Sequence, residues 1–196
     1  MPSIPKPLSI CVFCGSRIGD DPAYGRAAQR FGAILAAHGI TLVYGGGGIG
    51  LMGVLADAVI GAGGRVVGVI PEFLKQREVG HGAVTGMVVV DSMHARKATM
   101  FDQSDAFVIL PGGLGTLDET MEIVTWRQLG LHDKPIVLVD VAGYWRPLRA
   151  LLEAAVAHGF ATPGSSGLLT IVDDVDQVLD AIAADPPDIP AASDRL

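Results

Sequence analysis

The stretch Phe107-Val108-Ile109-Leu110-Pro111-Gly112-Gly113-Leu114-Gly115-Thr116-Leu117-Asp118-Glu119 decides how this chain is read. It begins as an unbroken apolar run, as expected of a strand covered on both faces. Pro111 and the glycines at 112, 113 and 115 interrupt it, and a helical pattern opens at Thr116 with carboxylates at 118 and 119. A strand that delivers a glycine turn to a helix N-terminus creates an anion site, because unpaired N–H groups and the helix dipole converge on one spot. Glu119, one turn inside that helix, places an acid/base-capable group beside the phosphate cradle. The combination points to chemistry on a phosphorylated small molecule.

Outward from this stretch the chain alternates strand-like and helix-like segments. Apolar runs at 8–13, 40–44, 65–70, 87–90, 106–110, 136–139 and 168–172 predict seven strands. Amphipathic patterns predict helices at about 22–38, 49–62, 92–103, 116–129, 145–158 and 174–184. Strand and helix in strict alternation imply an α/β fold: a doubly wound parallel sheet of about seven strands with helices on both faces. His38-Gly39 and His158-Gly159 each close an alanine-rich helix with a glycine C′ cap, which makes both histidines partners of helix C-termini rather than catalysts. Residues 1–185 read as one domain, and the polar, proline-rich 186–196 as a flexible tail.

The chain has 196 residues, 49% of them apolar and 18% charged, with a net charge of −7. That balance excludes nucleic acid polymers as partners, since gripping a phosphate backbone needs clustered Lys and Arg. No apolar stretch approaches the ~20 residues of a membrane span, and the first residues lack a signal-peptide core. A cytoplasmic protein is expected. Cys11 and Cys14 lie in a strand-like run, where residues three apart point to opposite faces, so they read as packing residues rather than a redox pair. No ligand cluster for a metal is evident, and no cofactor is implied.

A second glycine loop, Tyr44-Gly-Gly-Gly-Gly-Ile-Gly50, contains a formal G-x-G-x-x-G at 45, 47 and 50. A dinucleotide site also wants a carboxylate at the end of the next strand. The segment Arg65–Pro71 supplies none before Glu72. A smaller phosphate ester therefore suits the loop better than NAD, although glycines of this kind also serve close helix–strand packing. Glu119 has two readings. In Thr116-Leu-Asp-Glu119 it would complete a capping box. With Glu122 and Trp126 it would instead line a cleft or subunit contact, opposite a core stripe of Leu117, Met121 and Val124. In Asp91-Ser-Met-His-Ala-Arg-Lys97, Asp91 or Ser92 can cap the next helix. Arg96 and Lys97 either snorkel to water, or Arg96 clamps an anionic or ribose-bearing ligand.

These motifs occur together in one known family. Pro-Gly-Gly-x-Gly-Thr-x-x-Glu at 111–119, Ser-Met-His-x-Arg-Lys at 92–97, and Gly-Gly-Gly-Gly-Ile-Gly-Leu-Met-Gly at 45–53 resemble the LOG (Lonely Guy) family, as do 125–135 and Gly143-Tyr-Trp. Its members are cytokinin riboside 5′-monophosphate phosphoribohydrolases with a Rossmann-like fold and a dimeric or larger assembly. The resemblance implies cleavage of the N-glycosidic bond of N6-substituted AMP, and of AMP, to free base and ribose 5-phosphate. It implies Arg96 and Glu119 as the catalytic pair. It also implies substrate contacts at Gly46, Gly47, Glu78, Lys97, Gly112, Gly113, Leu114, Gly115, Thr116, Leu117, Asp118, Glu119 and Thr125, and a homodimer. Leu114 and Asp118 depart from the Tyr and Glu of many members, which bears on base preference. Related sequences carry the label lysine decarboxylase, yet nothing in the sequence suggests a pyridoxal phosphate site. A non-catalytic nucleotide carrier or sensor is the alternative on the same loops.

Overall fold

A computed structural model describes residues 8–75 and 84–184. Seven strands form one parallel sheet: β1 (Ser9–Phe13), β2 (Thr41–Tyr44), β3 (Val66–Pro71), β4 (Gly86–Val90), β5 (Ala106–Ile109), β6 (Ile136–Val139) and β7 (Thr170–Val172). Their order across the sheet is β4-β3-β2-β1-β5-β6-β7. Every pairing is parallel. The order reverses between β1 and β5, so the loops leaving those two strands diverge and open a crevice at their carboxyl ends.

The helices are α1 (Pro22–Ala37), α2 (Gly50–Gly61), the short α3 (Glu72–Lys75), α4 (Met93–Asp102), α5 (Leu114–Gln128), α6 (Arg146–Ala157) and α7 (Val178–Ala184). They bury two cores, one on each face of the sheet. One gathers Phe31 and Leu35 of α1, Leu51 and Leu55 of α2 and Val178 of α7. The other gathers Met100 of α4, Ile123 and Val124 of α5 and Leu148 of α6. Strand β1 divides its side chains between them as period-2 geometry requires: Ile10, Val12 and Cys14 face one core, Cys11 and Phe13 the other. The two cysteines are buried and unlinked. Helices α1 and α2 cross closely at Gly32, where a Cβ would sit 2.7 Å from that of Ala58.

The cap signals hold. His38 and His158 occupy the C-cap positions of α1 and α6, and Gly39 and Gly159 follow in the left-handed region. Nδ1 of His38 bonds the Ile34 carbonyl at 2.9 Å, four residues back in its own helix. Most limits shift by a residue or two, β7 starting at Thr170 rather than 168, and two shifts have a definite local cause. The predicted helix 174–184 opens as a 3-10 turn, Val175–Gln177, because Asp174 and Gln177 form a capping box ahead of α7. The helix expected from Thr116 begins at Leu114, with consequences for Glu119 described below. The segment 186–196 and Glu78 lie outside the described residues. Among the described residues no helix is long and apolar enough to cross a membrane.

Candidate active site

The Ser92 hydroxyl accepts the Ala95 N–H at 3.1 Å and starts α4 at the end of β4. One turn later Arg96 reaches back under the carboxyl edge of the sheet. Its Nε donates to the Val69 carbonyl at 3.2 Å and its Nη2 to the Gly45 carbonyl at 3.1 Å. Its Nη1 lies 3.8 Å from Oε1 of Glu119 on α5. One planar guanidinium thus joins β3, the loop after β2, and α5, a task suited to its fixed fork of donors. A Cβ at Gly45 would overlap that guanidinium, so glycine there makes room for the arginine.

Glu119 is buried at 8% exposure, on the same side of α5 as Thr116, Thr120, Ile123, Val124 and Arg127. This corrects two expectations. Gly113, extended at φ −95 and ψ −153, is the N-cap, so Thr116 already stands inside the helix and the Thr116–Glu119 capping box does not form. The expected core stripe also shifts: Val124 is buried, Leu117 is half-buried, and Met121 is exposed. The physical reason is tertiary. A guanidinium delivered by α4 compensates a carboxylate that a helix taken alone would turn to water. Glu122 and Trp126 do face outward, where with Leu117, Asp118, Met121 and Thr125 they line an open groove.

Lys97 is also partnered. Its Nζ lies 3.1 Å from Asp118 and 3.1 Å from Glu122. Partial burial disfavours its charge, but hydrogen bonds and attraction from Glu122 and Asp118 outweigh this and raise its pKa. The lysine therefore bolts α4 to α5, in the same way that Arg96 does one residue earlier.

The two helix N-termini differ in openness. At α2 the amides of Leu51 and Met52 both donate to the Gly15 carbonyl, at 3.0 and 3.3 Å, so the chain itself occupies that end. Gly46, at φ +77, lies close against β3, with its Cβ position 3.1 Å from Ile70. Gly47 is buried beside it. At α5, by contrast, Leu114 is 85% exposed. A Cβ at Gly113 or Gly115 would meet nothing within 4 Å. Among the described residues those two glycines answer to no packing need and leave the N-terminus accessible. Gly112 is different, because a Cβ there would strike Thr116.

The site thus brings together Arg96 with Glu119, Lys97 with Asp118, and Gly112 with Thr116. Thr125 stands apart in the outer groove, its hydroxyl bonded to the Met121 carbonyl at 2.7 Å. Sequence reasoning missed Gly15, whose N–H donates to the Pro111 carbonyl at 3.0 Å, and Tyr144, whose hydroxyl donates to the Gly112 carbonyl at 2.5 Å. Tyr144 lies in the Gly143-Tyr-Trp motif, but no local pattern places its hydroxyl on the 111–116 loop, and none marks Gly15. Among the described residues no group of three or more His, Cys, Asp or Glu is placed to hold a metal ion.

Residues 52–182 match the family described as "possible lysine decarboxylase". The chain is 50% identical over 151 residues to a probable cytokinin riboside 5′-monophosphate phosphoribohydrolase of Oryza sativa subsp. japonica, covering 77% of this chain and 68% of that one. It is 45% identical over 179 residues to the cytokinin riboside 5′-monophosphate phosphoribohydrolase of Rhodococcoides fascians, covering 91% and 90%. Among solved structures, the molybdenum cofactor carrier protein of Chlamydomonas reinhardtii superposes with a TM-score of 0.68 at 22% identity, covering 90% and 96%. That likeness speaks to the fold.

Proposed function

The chain belongs to the family described as possible lysine decarboxylases, whose relatives named above are cytokinin riboside 5′-monophosphate phosphoribohydrolases, and we propose that it performs their reaction. The substrate is an N6-substituted AMP, with AMP itself also accepted. Water's oxygen bonds C1′, the C1′–N9 bond breaks, and the proton that water loses is matched by one gained on the departing base. The products are free base and ribose 5-phosphate. No cofactor enters this balance.

The observation that carries the reading is the buried Arg96–Glu119 pair, 3.8 Å apart at the carboxyl edge of the sheet and one helical turn from an open helix N-terminus. Glycosyl cleavage builds positive charge on the ribose. A carboxylate held beside it stabilises that charge or takes the proton from attacking water. Glu119 is assigned this role, and Arg96 fixes the carboxylate and the ribose. Gly112, Gly113, Leu114, Gly115 and Thr116 hold the 5′-phosphate through amides and hydroxyl. Binding that remote group orients the anomeric carbon. Gly46, Gly47, Glu78, Lys97, Leu117, Asp118 and Thr125 are the remaining contacts in this assignment.

The decarboxylase description finds little support in Lys97. A lysine that forms imines needs a lowered pKa, and the carboxylates beside Lys97 act in the opposite direction. A passive carrier would use the same loops, yet it would have no need of a buried carboxylate facing a buried guanidinium. The outer groove of α5, with Met121 exposed and Trp126 half-buried, is assigned to a homodimer contact. The cytoplasm is the assigned location.

Measuring free base released from AMP and from isopentenyladenosine monophosphate tests the assignment. Turnover of either supports the hydrolase, whereas tight binding of both without release would establish the carrier. A solution mass equal to one chain at working concentration would remove the dimer.

A further inference from the structure

The loop after β5 has two successive carbonyls tied down from opposite sides. Gly15, at the end of β1, donates its N–H to the Pro111 carbonyl at 3.0 Å. Tyr144, in the turn after β6, donates its hydroxyl to the Gly112 carbonyl at 2.5 Å. Strands β1 and β6 are the two neighbours of β5, so each flank of the sheet supplies one brace. In a trans peptide the N–H points away from the preceding C=O. Tying those two carbonyls therefore sets the directions of the Gly112 and Gly113 N–H groups.

The turn that presents Tyr144 is itself unusual. Ala142 at φ +55 and Gly143 at φ +76 are consecutive left-handed residues, and Ala142 is the one non-glycine with positive φ among the described residues. Strain of this kind persists only where its surroundings enforce it, and it concentrates at functional positions. Here the Asp140 carboxylate accepts the Trp145 N–H at 2.6 Å and holds the turn. The Tyr144 ring packs edge-on against Tyr24 and Trp145, at centroid distances of 5.5 and 4.8 Å. The turn also buries Trp145, but that needs no hydroxyl at 144. Tyr144 is 37% exposed, so water could serve its hydroxyl equally well.

We propose that Tyr144 is a positioning residue for phosphate binding: its hydroxyl locks the Gly112–Gly113 peptide so that the Gly113 N–H faces a bound 5′-phosphate. The proposal rests on assigning the 111–116 loop to that phosphate. It makes the turn after β6 part of the machinery that separates nucleoside monophosphates from nucleosides.

Tyr144→Phe keeps the ring contacts and removes only the hydroxyl. Titration calorimetry with ribose 5-phosphate should show Kd rising roughly tenfold, the effect of losing one well-oriented hydrogen bond. KM for AMP should rise in step while kcat and melting temperature stay near wild type, and adenosine should bind both proteins equally. An unchanged Kd, a parallel loss of adenosine binding, or a fall in kcat at constant KM overturns the proposal. Wild-type protein that binds ribose 5-phosphate yet releases no base would defeat the assigned activity alone, and the Kd comparison would still decide Tyr144. Failure of wild type to bind ribose 5-phosphate would defeat both.

Discussion

Nη1 of Arg96 stands 3.8 Å from Oε1 of Glu119, with the two side chains only 7% and 10% exposed. Buried opposite charges usually stabilise a fold no better than apolar residues of similar volume. The catalytic use proposed for this pair supplies another reason to bury it, because a carboxylate held in a dry, preorganised site is what an oxocarbenium-like transition state calls for.

Glu119→Gln tests that use directly. The side chain keeps its shape and an oxygen for the guanidinium, so the folded state should survive with a circular dichroism spectrum like wild type. Base release from AMP should fall by about 10²–10⁴-fold, the usual share of a positioned acid/base group. Turnover within tenfold of wild type would return Glu119 to a packing role.

Gly45→Ala acts on the same pair from a distance. The added methyl would overlap the Arg96 guanidinium and approach the Met52 sulfur to 3.2 Å. Arg96 must then leave the Val69 and Gly45 carbonyls. The expected result is a protein destabilised by about 1–3 kcal/mol with turnover reduced at least as far as in Glu119→Gln. Wild-type kinetics in this variant would separate Arg96 from the reaction.

Gly115→Ala should divide stability from function. The position is helical, and beyond its own helix backbone and chain neighbours its Cβ would meet no atom of the described residues within 4 Å. Alanine should therefore stabilise the protein by roughly 0.5–1 kcal/mol through helix propensity. If the 5′-phosphate sits on this N-terminus, the methyl intrudes on it and KM for AMP rises. Greater stability with an unchanged KM would remove residue 115 from the phosphate site.

His132 predicts an acid limb in stability. Its ring lies between the Ile123 carbonyl, 2.9 Å from Nε2, and the Lys134 N–H, which donates to Nδ1 at 3.1 Å. That arrangement suits the neutral ring with its proton on Nε2. Burial is the main cause that lowers its pKa from 6.5, with Arg127 and Lys134 acting in the same direction. The unfolded chain therefore binds the proton first. The contribution is complete above the unfolded value and is lost as pH falls through the lower folded value. Urea unfolding at pH 7.5 and pH 5.0 should show a smaller difference for His132→Gln than for wild type, and equal differences would refute the assignment.

The legible parts of the molecule were those that local periodicity encodes. All seven expected strands form, and Ile136–Val139 forms with the expected limits. Gly39 and Gly159 end their helices because positive φ is a property glycine carries anywhere. The motif residues Arg96 and Glu119 stood out because a cation next to an apolar stripe and a carboxylate next to a glycine turn are locally conspicuous. The start of α5 was misjudged because Thr116 is a strong cap by type, whereas Gly113 had already taken the extended N-cap conformation.

Sequence alone determined the alternation of strand and helix and the presence of an anion-suited turn, since both depend on neighbours a few residues apart. Only the tertiary structure decided which face of α5 turns inward, which helix N-terminus stays open, and where Tyr144 directs its hydroxyl. Those outcomes depend on strand order. Placing β5 between β1 and β6 brings Gly15 and Tyr144 to its loop, while α4, following edge strand β4, sends Arg96 back to Glu119. Pairing across such distances is settled by the packing of two cores on one sheet, which no short stretch of residues contains.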